Sequence, residues 1–323
     1  MAAQREGERF PIADAHNDAL LGLRAEDPVP RGQINLEGLD RGGASLVCFA
    51  AFVGARERYA HSRLQEVLVL VDRFYAMVEA CGFQRVTHPD QLTPGKLCAL
   101  LTLEGGDALE GQLCNLRVLY ALGARMLALT WSNDNELGCG CNAKEDRGLT
   151  RTGLEAVAEM NRLGMMVDVS HLSDQGLWQV LEASAAPPLA SHSNARALCP
   201  GVARNLTDEM LAALGRKGGF VGVNAARLFL TGSQDRPATL EDMLRHLERM
   251  AALAGVEHVG LGTDFDGISS TPEGFEGCEK YQALPEALLR RNWPEAAVRG
   301  VCYQNFVDYW RRVLECRPAK GRA

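Results

Sequence analysis

The short stretch DAHND, residues 14–18, places a histidine and an aspartate two positions apart at the end of an apolar segment. Alternate side chains on a strand point to the same face, so His16 and Asp18 can both reach one point beyond the strand end. Imidazole nitrogen and carboxylate oxygen are ligands that zinc accepts in proteins. The stretch alone leaves two interpretations open: a metal site, or a hydrogen-bonded His–Asp pair that holds a loop.

Residues of the same kinds end other apolar segments of the chain. Glu104 ends LTLE, His171 ends DVSH and His192 lies in ASHS. Each of them alone also has a structural interpretation, as a helix cap or a loop histidine. With the first pair they make three histidines and two carboxylates, which is the ligand set of a two-metal site. Burying such groups unpaired is costly, and a bound cation offsets that cost.

The segments that carry these residues are short and almost continuously apolar, as is typical of strands buried on both faces of a parallel sheet. Eight segments of this kind predict strands at residues 10–16, 44–52, 97–105, 124–131, 164–171, 188–193, 219–225 and 258–267. Amphipathic patterns between them predict helices at residues 59–82, 149–164, 205–219 and 239–255.

Strands that alternate with helices in this way indicate an α/β fold, a (β/α)8 TIM barrel, in a single domain over residues 1–323. An open doubly wound sheet is the alternative. No G-x-G-x-x-G follows the first strand, which weakens a dinucleotide-binding version of that sheet.

Catalytic groups of such barrels sit at the C-terminal ends of the strands. The predicted strand ends carry His16, Asp18, Glu104, Trp131, His171, His192, Asn224, Asp264 and Asp266. The barrel therefore predicts that these side chains lie on one face.

The charge and the cysteines exclude some classes of partner. Lys and Arg number 34 against 41 Asp and Glu, for a net charge of −7 without a basic tract, which argues against nucleic acid as the main partner. Ten cysteines without a framework spacing are typical of a reducing compartment and predict a cytoplasmic location. The charged start MAAQREGERF predicts no signal peptide, and no apolar stretch is long enough for a membrane anchor.

Six stretches in a fixed order carry a resemblance to a known family: DAHND, LTLEGG, DVSH, SHSNAR, RN at 204–205 and GTDFDG. The chain resembles the membrane dipeptidase (renal dipeptidase) family of zinc metallopeptidases, which are amidohydrolase-like barrels, nearly from end to end. The resemblance implies a binuclear zinc dipeptidase that hydrolyses small L,L dipeptides, with L,D dipeptides as an open extension. It also leads us to expect a homodimer.

The resemblance implies a role for each matching metal ligand. His16 and Asp18 would bind one zinc ion. His171 and His192 would hold the second. Glu104 and a hydroxide would bridge the two ions. Cobalt and manganese also suit such ligands, so the native metal stays open.

The resemblance also implies roles toward the substrate. Arg204 would hold the C-terminal carboxylate of the substrate, a task that suits the forked guanidinium group. Asp264 would transfer the proton and contact the amino end of the substrate. We prefer Asp264 to Asp266 for this role because it comes first after the strand, and we keep Asp266 as a substrate contact.

Two positions depart from the renal type. Trp131 stands where renal-type members have a histidine near the metals, and VNAAR stands where they have a tyrosine after the seventh strand. We therefore expect Trp131 to contact substrate and to change the pocket. The alternative function is a related metal-dependent amidohydrolase that acts on another small amide, such as an N-acyl amino acid.

Other functions fit the residues less well. A barrel deaminase needs an opening His-x-His, whereas Asp18 occupies the third position of that pattern here. A binding or structural barrel would have no use for five converging ligands. Residues 132–149 form a long loop that we expect to close over the substrate, and residues 267–283 are a second candidate wall. The Cys139-Gly-Cys141 pair in the first loop is weak evidence for another metal site.

Overall fold

The computed structural model describes residues 9–24, 26–54 and 62–318. Within these ranges the strands are β1 (Ile12–Asn17), β2 (Ala44–Phe52), β3 (Gln84–Arg85), β4 (Cys98–Glu104), β5 (Met126–Ala128), β6 (Met166–Asp168), β7 (Leu189–Ala190), β8 (Phe220–Val223) and β9 (Val259–Leu261). They form one sheet in the order β2-β1-β9-β8-β7-β6-β5-β4-β3, and a further β2–β4 pairing closes the sheet into a barrel. All of these pairings are parallel.

The prediction of a (β/α)8 TIM barrel is confirmed. The eight predicted strands correspond to β1, β2 and β4 to β9, whereas the two-residue strand β3, which pairs only with β4, was not predicted. Most observed strands are shorter than the predicted ones. The apolar segments continue past the paired backbone as buried loop, and apolarity alone does not mark where pairing ends.

The helices surround the barrel. They are α1 (Ala19–Gly22), α2 (Leu36–Gly42), α3 (Arg63–Cys81), α4 (Leu113–Ala121), α5 (Arg151–Leu163), α6 (Asp174–Ala183), α7 (Asp208–Arg216), α8 (Arg227–Thr231), α9 (Leu240–Ala254), α10 (Ala283–Arg290), α11 (Glu295–Arg299) and α12 (Asn305–Glu315). The four predicted helices correspond to α3, α5, α7 and α9, and residues 59–61 of the first lie outside the described residues. No helix in the described ranges is long and apolar enough to cross a membrane.

Local sequence explains where several of these helices begin and end. The side chains of Thr207 and Thr239 accept hydrogen bonds from backbone N–H groups in the first turns of α7 and α9, as expected of N-cap residues. Gly164 follows α5 with a φ of 72°, a conformation that glycine adopts without steric cost.

The N-terminal end of the barrel is filled by apolar side chains. Leu46, Leu100 and Met166 inside the barrel belong to one buried cluster with Phe306 and Trp310 of α12. This packing closes the N-terminal end of the barrel, so the polar side chains lie at the C-terminal end.

Asp14 is a fully buried carboxylate that joins β1 to the segment after β9. It accepts hydrogen bonds from the Thr263 hydroxyl at 2.6 Å, the Thr263 N–H at 2.9 Å and the Tyr281 hydroxyl at 2.6 Å. Burial raises the pKa of Asp14, against the effect of these donors. Because the carboxylate lies two residues from His16, these bonds also hold that histidine in place.

We predict that Tyr281→Phe lowers the free energy of unfolding by about 1.5–3 kcal/mol, because a buried carboxylate loses a donor. Chemical denaturation of the purified variant measures the change. Tyr303→Phe is the control, since that half-buried hydroxyl has no hydrogen-bond partner among the described residues. Equal stability of Tyr281→Phe and wild type would contradict the role given to Asp14.

Candidate metal centre

The barrel brings the five predicted metal ligands together at the C-terminal ends of its strands. All five are buried, with at most 7% of each residue exposed. They come from four strands or the loops directly after them: His16 and Asp18 at β1, Glu104 at the end of β4, His171 after β6 and His192 after β7.

Glu104 lies between the three imidazoles. Its Oε1 atom is 3.0 Å from Nε2 of His171 and 3.5 Å from Nε2 of His192, and these two nitrogens are 2.9 Å apart. Its other oxygen, Oε2, is 3.6 Å from Nε2 of His16. One carboxylate therefore reaches both the first and the second pair of predicted ligands.

Hydrogen bonds on the far side of the ring fix the state of His192. The Ser191 hydroxyl donates to Asp168 Oδ2 at 2.5 Å and lies 2.7 Å from Nδ1 of His192. Since that hydroxyl proton is already used, Ser191 accepts the Nδ1–H of His192, which leaves Nε2 without a proton. A neutral imidazole with a free Nε2 lone pair is the form that binds a metal.

Ser132 contacts the second histidine in the same way. Its hydroxyl lies 2.8 Å from Nδ1 of His171, and the backbone carbonyl of His171 accepts the N–H of Cys141. The nitrogen that faces Glu104 is again Nε2. Both histidines thus direct the same ring atom at the centre.

The first ligand pair contains buried atoms without partners. Nε2 of His16 is 3.5 Å from Asp18 Oδ2 and 4.0 Å from Asp264 Oδ1. Among the described residues, Nε2 of His16 and Oδ1 of Asp18 have no hydrogen-bond partner at all. Buried polar atoms rarely lack a hydrogen-bond partner, and a bound cation would give both of these atoms a partner.

Two groups of ligand atoms in the described residues lie close enough to share an ion. One consists of His16, Glu104 and His192, and the other of His16, Asp18 and Asp264, with all atoms of a group within 4.8 Å of one another. Nitrogen and carboxylate ligands of this number fit zinc and its neighbours in the first transition row. Cys139 and Cys141 belong to neither group.

The electrostatics of the centre follow from burial of several charges together. Burial, together with the charge of Glu104, raises the pKa of Asp18 to about 8. Burial lowers the pKa of His171 to about 4, with the nearby Arg204 charge acting in the same direction. Burial disfavours a charged Glu104, but His16, His171 and His192 together outweigh it, and the pKa of Glu104 falls well below its usual range. A cation among these groups would relieve the repulsion between the carboxylates.

Asp264 and Asp266 have different surroundings. Burial raises the pKa of Asp264 to about 6, and its Oδ2 accepts a hydrogen bond of 2.9 Å from the Asn224 amide. Both oxygens of Asp266 instead accept backbone N–H groups, those of Gln33 at 2.7 Å and Ile34 at 3.2 Å. Asp266 therefore holds the segment before α2, while Asp264 faces the ligands.

A cavity of about 560 Å³ opens above the ligands. Asp18, Glu104, His171 and Asp264 line its floor, and its walls include the aromatic ring of Trp131. Its volume lies within the range of small-molecule sites.

Aromatic rings and two loops form parts of the cavity wall. The Trp131 ring centroid is 5.5 Å from that of Phe52 and 5.9 Å from that of His171. From the loop at 132–149 only Ser132 lines the cavity, and the closure of that loop over substrate stays a prediction. Residues 267–270 of the second predicted wall do line the cavity.

Arg204 is buried and is not among the residues that line the cavity. Its guanidinium donates to the Ser193 hydroxyl and to the His192 carbonyl, both at 2.7 Å, and lies 5.5 Å from the ring centre of Phe229. Its Nε atom is buried without a partner among the described residues. The arginine that lines the cavity is Arg227, which the sequence did not single out.

The sequence also missed the groups that hold the histidines. Asp168 lies three residues before His171 in the sequence, but it reaches His192 through Ser191. The serines carry no spacing signal of their own. Only their position beside predicted ligands, Ser132 after Trp131 and Ser191 before His192, could have drawn attention to them.

The profile of the membrane dipeptidase family, peptidase family M19, matches residues 2–320. The chain belongs to the membrane dipeptidase family. The resemblance carried by the six motifs is thereby confirmed.

Dipeptidases and solved structures are similar to this chain over nearly all of its length. Dipeptidase 3 of Rattus norvegicus is 34% identical over 325 residues, which are 95% of this chain and 66% of that protein. A metallo peptidase from Rhodobacter sphaeroides, solved with a phosphinate mimic of the dipeptide L-Ala-D-Ala, is 29% identical with a TM-score of 0.86 and covers 95% of this chain and 100% of its own. A dipeptidase of family M19 is 30% identical with the same TM-score, over 95% of this chain and 99% of its own. The chain spans about two thirds of the length of the Dipeptidase 3 proteins that it matches.

We predict that Ser191→Ala weakens zinc binding by about 10–100-fold, because His192 loses the group that fixes its ring. Competition with a chelating zinc indicator measures the affinity without any activity assay. Ser193→Ala is the matched control, since Ser193 is an equally buried serine in the same loop whose hydroxyl contacts Arg204 and not an imidazole. Equal affinities of the two variants would refute the role of Ser191.

Proposed function

We propose that the protein is a metal-dependent dipeptidase that hydrolyses the peptide bond of small L,L dipeptides, with L,D dipeptides as a second class of substrate. The observation that carries this proposal is the buried group of three imidazoles around Glu104, beside a cavity of about 560 Å³ that is large enough for a small molecule. Membership in a family of metallopeptidases supports it, as does the dipeptide mimic bound by the Rhodobacter relative.

Two zinc ions would be held by the buried ligands. His16 and Asp18 would hold one ion, His171 and His192 the other, and Glu104 would bridge them. The partnerless atoms of His16 and Asp18 support the first position, and the facing nitrogens of His171 and His192 support the second. Zinc bound there would polarise the scissile carbonyl and lower the pKa of a bound water, so that hydroxide is available near neutral pH.

Asp264 would accept the proton of the attacking water and deliver it to the leaving amine. General acid–base work of this kind needs a carboxylate whose pKa is raised toward neutrality, and burial raises the pKa of Asp264 to about 6. The Asn224 amide would hold this carboxylate at the edge of the ligands. Asp264 would also contact the amino end of the substrate, and Asp266 would line the site while it holds the segment before α2.

Arg204 would hold the C-terminal carboxylate of the substrate. Its charge is buried, and no carboxylate of the described residues lies within ion-pair distance of it. A buried guanidinium without an ion-pair partner is stabilised by an anion, and a substrate carboxylate would supply one.

The second candidate is an amidohydrolase for another small amide, such as an N-acyl amino acid. Trp131 and Phe52 favour it, because their rings give the cavity an apolar wall near His171 that suits an acyl chain. The same wall also suits an apolar side chain of a dipeptide, so the dipeptide remains our first proposal.

The location and the assembly are proposals of the same kind. We place the protein in the cytoplasm because all ten cysteines are free, as a reducing compartment would keep them. A homodimer follows from the family alone.

We expect release of free amino acids from L-Ala-L-Ala or L-Ala-D-Ala by the metal-stripped protein only after zinc is restored. His171→Ala should lose zinc and about a hundredfold or more of the activity together, because a direct ligand is gone. His88→Ala is the control, since that histidine is exposed and belongs to neither group of ligand atoms.

The panel also includes N-acetyl-L-alanine. Zinc-dependent release from this compound alone would move the function to the second candidate. Full zinc content and normal turnover of His171→Ala would contradict the metal centre itself.

A further inference from the structure

The cavity wall contains an arginine whose charge has no carboxylate partner in the described part of the chain. Arg227 begins α8 and lines the cavity with Ser270 and Gln234. Its Nε donates to the Ser270 hydroxyl at 2.9 Å, and another guanidinium nitrogen donates to the Gln234 carbonyl at 2.6 Å. Both partners are neutral, so they hold the guanidinium in place without cancelling its charge.

Other arginines of the chain show what this side chain does when a carboxylate is near. Arg196 makes two hydrogen bonds to the carboxylate of Asp174, and Arg249 does the same with Asp208. Arg227 differs from them because it is half-buried at a ligand cavity and is held by uncharged groups. A guanidinium held in this way is prepared for an anionic group of a ligand.

The position of Arg227 indicates which end of a dipeptide it would meet. Phe229 lies two residues further along α8, and the Arg204 guanidinium lies over its ring at 5.5 Å. One cation therefore belongs to this helix, and the other contacts it. If Arg204 binds the main-chain carboxylate of a dipeptide substrate, Arg227 would lie near the C-terminal residue of that substrate. It would then contact the side chain of this residue.

We propose that Arg227 makes the site selective for dipeptides whose C-terminal residue carries an acidic side chain, such as Xaa-Glu and Xaa-Asp. This inference rests on the proposed dipeptidase function.

The test compares L-Ala-L-Glu with L-Ala-L-Gln, which has nearly the same shape and no side-chain charge, in the zinc-loaded full chain. We expect wild type to favour the Glu substrate in kcat/KM by about tenfold or more, the size of one charge-assisted hydrogen bond. Arg227→Gln should bring this ratio close to one, and Arg227→Lys should keep part of it. L-Glu-L-Ala should gain nothing from Arg227, because its acidic side chain lies at the other end.

Two further variants separate the roles of the cations. Arg204→Gln should lower kcat/KM for the Glu and Gln substrates alike, since both have the main-chain carboxylate. Arg216→Gln is the control, because Arg216 is exposed at the end of α7 and outside the site. Should Arg227→Gln fail to fold, Ser270→Ala removes only the acceptor of Nε and should lower the ratio of Glu to Gln by a smaller factor.

A wild-type ratio near one, or a ratio that Arg227→Gln leaves unchanged, would overturn the inference and leave the dipeptidase function standing. An equal loss for both substrates in Arg227→Gln would overturn it as well, since that result fits a structural or main-chain carboxylate role. Cleavage of no dipeptide by wild type would overturn the proposed function and this inference with it.

Discussion

The need to satisfy a buried group of carboxylates and imidazoles dominates the C-terminal end of this barrel. Glu104 lies 3.0 to 3.6 Å from three imidazole nitrogens, and each of these four residues is at most 7% exposed. Charges at such distances in a low-dielectric interior interact strongly, and unpaired ones are expensive. The apolar cluster that includes side chains of α12 fills the N-terminal end of the barrel, so the polar groups lie at the C-terminal end. Bound metal cations would satisfy this constraint with the donor atoms that the chain provides.

A layer of hydrogen bonds below the ligands keeps them in position. Asp14 holds the strand end before His16, and Asp168 accepts the N–H groups of Ser170 and Ser191 as well as the Ser191 hydroxyl. The backbone above this layer is unusual, since His171 and Asp264 adopt φ values of 68° and 64°. Residues other than glycine rarely take this conformation, and its occurrence at the site agrees with the tendency of strain to collect where function is.

The sequence predicted the barrel and the convergence of the five ligands because both follow from one-dimensional patterns: apolar runs, helical spacing and the residue types at strand ends. It did not predict what depends on three-dimensional orientation. The loops set the directions in which these side chains point. Examples are the link from Asp168 through Ser191, the contact of Arg204 with Ser193 and the backbone partners of Asp266. The sequence did not predict a role for Arg227 for the same reason, since no neighbouring residue in the sequence marks it as part of a cavity wall.

We propose that this buried group holds two divalent cations. The most direct test is a calorimetric titration of the metal-stripped protein with zinc, read as the number of ions bound per chain. We expect saturation at two ions for wild type, and at fewer than two for Glu104→Gln, since that residue would bridge both positions. Saturation of wild type at one ion or none, in a protein that melts cooperatively, would show that the buried group does not hold two cations.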